Sequence, residues 1–182
     1  LSTPMDVEQS FRASVFQVIS IQTTTGFATS NYVMWVPLLW LLLCALMFFG
    51  ASSGSTSGAM KCVRISILFK VMWNEFKRIV HPNAVSPVRM TGRIVPSAVQ
   101  SAILAYTVIY IFMLVAGIFV NMALGVDFLD AFSLSVASVG NVGPALGNYG
   151  PMDSFATLPC AVKWFSAFQM LVGRLEFFAV LL

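Results

Sequence analysis

Charge is what this sequence has least of. Charged residues make up 9% of its 182 positions, against about 25% in an ordinary soluble domain. That scarcity excludes a disordered chain, a nucleic-acid-binding domain and an ordinary cytosolic enzyme. The three cysteines, Cys44, Cys62 and Cys160, are an odd number without metal-ligand spacing, so they read as reduced packing residues rather than a disulfide framework or zinc site. No P-loop, dinucleotide fingerprint or metal-ligand cluster is present, and His81 is the single histidine.

Apolar residues fill the space that charge leaves. They account for 58% of the chain, and the mean hydropathy is +0.86. No charged residue occurs from Ala13 to Met60 or from Ile94 to Val126. A bilayer-spanning helix needs about 20 apolar residues, so each gap accommodates one. Seven of the ten basic residues fall between Lys61 and Arg93, with Glu75 as the only acid among them. The positive-inside rule puts residues 61–93 on the cytoplasmic side, with Asp6, Glu8, Asp127, Asp130 and Asp153 opposite. The basic run suits either a headgroup-facing linker or a docking surface for a cytosolic partner. Beginning at Leu1 and stopping at Leu182 within an apolar stretch, the chain reads as a piece of a longer polypeptide.

The predicted order starts with a short, Ser-containing helix at residues 9–22 that dips into the membrane. A crossing over Val33–Phe49 follows, broken at Gly50–Gly58 and resuming over Ala59–Val80. After Pro82, Pro87 and Gly92, a long helix spans Val95–Leu124. A second short helix covers 128–139, and a last crossing runs from Leu158 to beyond Leu182. The short stretches are related: a shift of 117 positions lays Gly26 on Gly143, Ala28 on Ala145, Asn31 on Asn148 and Tyr32 on Tyr149. A repeated membrane unit with a half-spanning helix and an irregular segment accounts for this. Irregular backbone at membrane depth is tolerated where it is buried or lines a water-filled cavity. Glycine permits positive φ, which turns successive carbonyls to one side. Such carbonyls can replace the hydration shell of an alkali cation, aided by the negative C-terminal end of the half-helix.

Four motifs, in order along nearly the whole chain, resemble the TrkH branch of the Trk/Ktr/HKT potassium transporter superfamily. They are Thr23-Thr24-Thr25-Gly26-Phe27, the Gly/Ser loop Gly50–Gly58 with Met60-Lys61, Val139-Gly140-Asn141-Val142-Gly143-Pro144, and Gly173-Arg174-Leu175-Glu176-Phe177-Phe178. The resemblance implies an all-α integral membrane protein with helix–pore-helix–helix repeats, two of an expected four. Residues 1–93 would be the third repeat without its first helix, and 94–182 the fourth, truncated in its inner helix. Thr23, Thr24, Thr25 and Gly26 would form the third filter segment, and Gly140, Asn141, Val142 and Gly143 the fourth. Backbone carbonyls of Thr24, Thr25, Asn141 and Val142 would bind K+, which is the substrate. Asn141 is open to two roles, lining the pore or bracing the filter from behind. The two segments differ at three of four positions, which leaves potassium-over-sodium selectivity open.

Gly50, Ser52, Ser53, Gly54, Ser55, Thr56, Ser57 and Gly58 would form an intramembrane gating loop. Its three glycines and five hydroxyl residues disfavour helix, and the hydroxyls can satisfy backbone freed by the break. Arg174, costly at membrane depth, would lie below the filter and brace that loop. The family further implies a homodimer in the bacterial inner membrane with the filters near its outer side. The missing first two repeats of the same polypeptide would complete the pore. A TrkA-type cytosolic subunit would carry any nucleotide, and the chain itself would need no covalent cofactor. Three alternatives stand beside this reading. One is a sodium-coupled Ktr-type transporter, and another a non-conducting scaffold, which would keep the helices without the repeated glycines. The third is an intramembrane serine protease, since Gly50-Ala51-Ser52-Ser53-Gly54 fits G-x-S-x-G. Its base would have to be His81, about 27 residues on and about 40 Å away along a helix.

Overall fold

The computed structural model describes residues 7–50, 59–80, 87–90 and 92–174. Within them the chain is mostly helical: α1 Val7–Gln22, α2 Pro37–Phe48, α3 Cys62–Val80, α4 Ser97–Ala123, α5 Phe128–Gly140 and α6 Cys160–Arg174. The all-α expectation needs one amendment. Two-residue ladders join Phe49–Gly50 (β1) in parallel to Met60–Lys61 (β2), and Arg89–Met90 (β3) in antiparallel to Arg93–Ile94 (β4).

The first ladder bears on two expected helix boundaries. Because Met60 and Lys61 pair with Phe49 and Gly50, α3 starts at Cys62 rather than Ala59. Gly50 is needed there, since a Cβ would sit 3.0 Å from both the Cβ and the carbonyl oxygen of Ala59. The apolar run Val33–Phe49 is not one helix either. Its helix is the twelve residues of α2, rising about 18 Å, short of the roughly 30 Å hydrocarbon layer. The preceding residues turn instead: the Asn31 side chain accepts from the Val33 N–H at 3.1 Å, and Trp40 Nε1 donates to the Tyr32 carbonyl at 3.0 Å. The 3₁₀ turn Tyr32–Met34 results, and Pro37 opens the helix at its first position. Similarly, α6 begins at Cys160 rather than Leu158, because Ser154 caps a 3₁₀ turn at Phe155–Thr157 and Lys163 Nζ donates back to the Ala156 carbonyl at 2.7 Å.

Among the described residues, α4 is the one helix long and apolar enough to cross a bilayer, with 27 residues and a mean window hydropathy of 2.5. Val108, Phe112 and Phe119 point outward from it, while Tyr106, Tyr110, Gly117 and Asn121 are buried. Polar groups inside and large apolar groups outside is the arrangement a lipid solvent requires. By contrast, α3 is amphipathic. Its Arg64 guanidinium lies 4.3 Å over the Tyr106 ring of α4, a cation–π contact, while Phe69, Trp73 and Phe76 are exposed.

At the centre of the described structure lies α5, buried along almost its whole length from Asp130 to Gly140. It packs against α4, α6 and α2. Three clusters fix it. Ile21, Tyr32, Leu43, Met47, Val136, Val142 and Leu146 join the first half of the chain to the second. Ala131, Leu134, Leu158 and Val162 hold α5 to α6, and Met60, Tyr106, Tyr110 and Val139 close the far side. The expected partition at 93/94 falls inside β4.

Candidate functional site

The two glycine segments leave their short helices in the same way. At the end of α1, the Thr24 N–H donates to the Ile21 carbonyl at 3.0 Å and the Thr25 N–H to the Ser20 carbonyl at 2.9 Å. After α5, Asn141 donates to Ser138 at 3.2 Å and Val142 to Ala137 at 3.0 Å. Each donor and each acceptor is displaced from its counterpart by 117 positions. The backbone angles repeat as well: φ is +53° at Thr24 and +56° at Asn141, then +78° at Gly26 and +105° at Gly143. Left-handed backbone at Thr and Asn is uncommon, and in matched positions it marks a built feature.

Through these reversals the backbone is irregular and its acceptors are unspent. Among the described residues, no hydrogen bond reaches the carbonyl oxygens of Thr24, Thr25, Gly26, Asn141, Val142 or Gly143. Acceptors at the negative end of a helix favour a cation with oxygen ligands. The segments also meet: a Cβ on Gly26 would collide with the Val142 carbonyl oxygen and lie 3.1 Å from Pro144. Tyr32, wholly buried, donates its hydroxyl to the Ala145 carbonyl at 2.9 Å and ties one return limb to the other.

Side chains stiffen each segment from behind. Thr23 Oγ1 donates to the Ile19 carbonyl at 2.7 Å and lies 2.8 Å from Thr25 Oγ1, while Ser20 donates to the Phe27 carbonyl at 2.6 Å. In the second segment the Asn141 amide donates to the Met170 carbonyl of α6 at 3.0 Å. That bond directs the Asn141 side chain toward α6. Gly173 makes that approach possible, since a Cβ there would meet the Val139 carbonyl and the Asn141 amide. Gly140 in turn abuts α2, where a Cβ would stand 3.0 Å from the Met47 carbonyl.

The expected gating residues are less assembled. Gly50 sits in β1 and its carbonyl accepts from Cys62 Sγ at 3.0 Å. Ser52, Ser53, Gly54, Ser55, Thr56, Ser57 and Gly58, with His81 and Glu176, lie outside the described residues. Arg174 is the exposed last residue of α6, next to the Gly173 contact with the second segment. Several site-building residues escaped sequence reasoning. Asp130, nearly fully buried, accepts from the Asn148 N–H at 3.0 Å and from Asn148 Nδ2 at 2.8 Å. Gln169 donates to the Met113 carbonyl at 3.2 Å and to Ser135 Oγ at 3.1 Å, and Ser135 donates to the Leu114 carbonyl at 2.8 Å. The available signal was polar residues recurring inside apolar helices.

A mostly helical chain, with one helix long and apolar enough to cross a bilayer and two matched helix-end segments, has the features of a membrane transport protein. The family model described as "TrkH: Cation transport protein" matches residues 2–182, and the chain belongs to that family. Among curated relatives, the "Trk system potassium uptake protein TrkH" of Escherichia coli K12 is 37% identical over 180 residues, covering 99% of this chain and 36% of the relative. The protein of the same name from Halomonas elongata is also 37% identical, over 99% of this chain and 37% of its own length. The crystal structure of the potassium transporter TrkH from Vibrio parahaemolyticus superposes with a TM-score of 0.87 at 36% identity, covering 97% of this chain and 37% of that one. The chain thus spans a little over a third of the relatives it matches. Membership in a transport family disposes of the serine-nucleophile alternative.

Proposed function

We propose that this chain supplies two adjacent quarters of a pore that moves K+ across a bacterial inner membrane. The observation that carries the proposal is the pair of unspent carbonyl rows, at Thr24–Gly26 and Asn141–Gly143, set at matched positive-φ reversals and abutting through Gly26 and Val142. Oxygens without hydrogen bonds inside a low-dielectric layer need another partner, and a dehydrated alkali cation supplies one. The names of the relatives, all potassium uptake proteins, supply the ion.

In this reading α1 and α5 are pore helices whose C-terminal ends face the ion. Thr23–Gly26 and Gly140–Gly143 are two of four filter segments, and two more repeats of the full polypeptide close the ring. The Gly50–Gly58 loop and Arg174 gate the path from the cytoplasmic side. The complete protein is a homodimer that takes its nucleotide control from a TrkA-type subunit. Uptake of 86Rb+ by a full-length protein in proteoliposomes tests the core of this. Gly26→Ser and Gly143→Ser are each expected to abolish uptake while the protein still assembles. Uptake unchanged in both would return the chain to the status of a scaffold.

A further inference from the structure

One buried carboxylate lies outside the two carbonyl rows. Asp130 is 4% exposed and lies in the first turn of α5, where the helix N-terminus favours an anion. Both of its oxygens are engaged on the limb that follows the second glycine segment: Oδ1 by the Asn148 N–H at 3.0 Å, Oδ2 by Asn148 Nδ2 at 2.8 Å. The limb is shaped to receive it. Gly147 has φ +70°, and a Cβ there would strike Asp130 Oδ1. Just beneath, Ser133 Oγ lies 3.1 Å from the Asp130 carbonyl and 3.2 Å from that of Leu146. Thus α5 grips its segment at both ends: at its C-terminus through Val142 and Asn141, and at its N-terminus through Asp130 and Ser133.

Among the described residues, no side chain near the start of α1 grips the first segment in this way. The position 117 earlier than Asp130 is Ala13, and Asn31, the counterpart of Asn148, turns its side chain to the Val33 N–H instead. Its return limb is held by neutral bonds through Tyr32 and Trp40. Charge-assisted bonds are shorter and roughly twice as strong as neutral ones.

We propose that Asp130 is a positioning residue for the second glycine segment, fixing the spacing of its carbonyls through Asn148 and so setting discrimination between alkali cations. The inference rests on the transport reading. Cation selectivity depends on how firmly the coordinating oxygens hold their field or spacing, so a limb freed at one end relaxes the cage around the ion.

The experiment compares 86Rb+ and 22Na+ uptake by full-length protein in proteoliposomes, for the parent, Asp130→Ala, Asn148→Ala and Asp130→Asn. Both alanine variants are expected to lower the Rb+/Na+ ratio about tenfold, the scale of one charge-assisted hydrogen bond. Asp130→Asn keeps an acceptor for the Asn148 N–H, and flipping the Asn148 amide restores the second bond. Its ratio is expected within about threefold of the parent, the scale of one weakened bond. A residue needed only for folding would reduce the amount of active protein and leave the ratio alone. An unchanged ratio in the alanine variants overturns the proposal, as does a collapse in Asp130→Asn equal to that in Asp130→Ala. A parent that moves no Rb+ sinks the transport reading together with this one; a competent parent with a ratio indifferent to Asp130 sinks this one alone.

Discussion

Two glycines that look equivalent in sequence carry different constraints. Gly26 combines φ +78° with a close approach to the Val142 carbonyl, whereas Gly143 has φ +105° and no atom of the described residues within 4 Å of where a Cβ would stand. An alanine at Gly143 therefore meets backbone strain alone, roughly 1–2 kcal/mol. At Gly26 the same strain is joined by a steric clash with main chain that cannot rotate away. Gly26→Ala is expected to lower the detergent-solubilised melting temperature more than Gly143→Ala. Equal shifts would mean that the Gly26–Val142 contact relaxes freely. The glycines were legible in sequence because Gly, Ala, Asn and Tyr recur at one offset. The left-handed backbone at Thr24 and Asn141 was not, since neither residue requires it. Asp130 read as one of several outward acids, because nothing in its neighbours announces a partner eighteen positions on.

Between elements, the decisive contacts are polar ones within an apolar bundle. Gly117 of α4 lies where a Cβ would run into the Gln169 amide of α6 and the Ser135 hydroxyl of α5. Three helices thus meet at a glycine, an amide and a hydroxyl. Gly117→Ala is expected to break the Gln169–Ser135 bond and destabilise by about 1–3 kcal/mol, the cost of leaving a buried polar group unpaired. Because both act on one contact, Gly117→Ala and Gln169→Ala are expected to be strongly non-additive in a double-mutant cycle of thermal unfolding. Additive losses would show that the three helices do not couple there. Composition foretold α4 and α5 closely: the one is an uninterrupted apolar run, and the other is short and Ser-rich. It failed at α2, because Val33–Phe49 is apolar throughout and its ends are set by bonds to Asn31 and Trp40 and by pairing with Met60, none of which alters hydropathy. The Gln169 contact depends on an interhelix geometry that no local pattern encodes.

At the scale of the whole chain, charge asymmetry predicts a direction. Two exposed basic residues of α3, Lys77 and Arg78, lie at its C-terminal end, and the turn holding Met152 and Asp153 follows the second glycine segment. If the bias of Lys and Arg orients the chain, these two regions occupy opposite sides of the membrane. That is a stronger statement than membrane residence, because reversing the chain would put the glycine segments and their helix ends toward the cytoplasm. A membrane-impermeant maleimide distinguishes the two. In a full-length protein whose native cysteines are replaced, Lys77→Cys is expected to label only in inside-out vesicles and Met152→Cys only in right-side-out ones. Both positions are exposed, so protection reports sidedness rather than burial. Labelling of both from one face would remove the membrane between them, and with it any path for an ion past the two carbonyl rows.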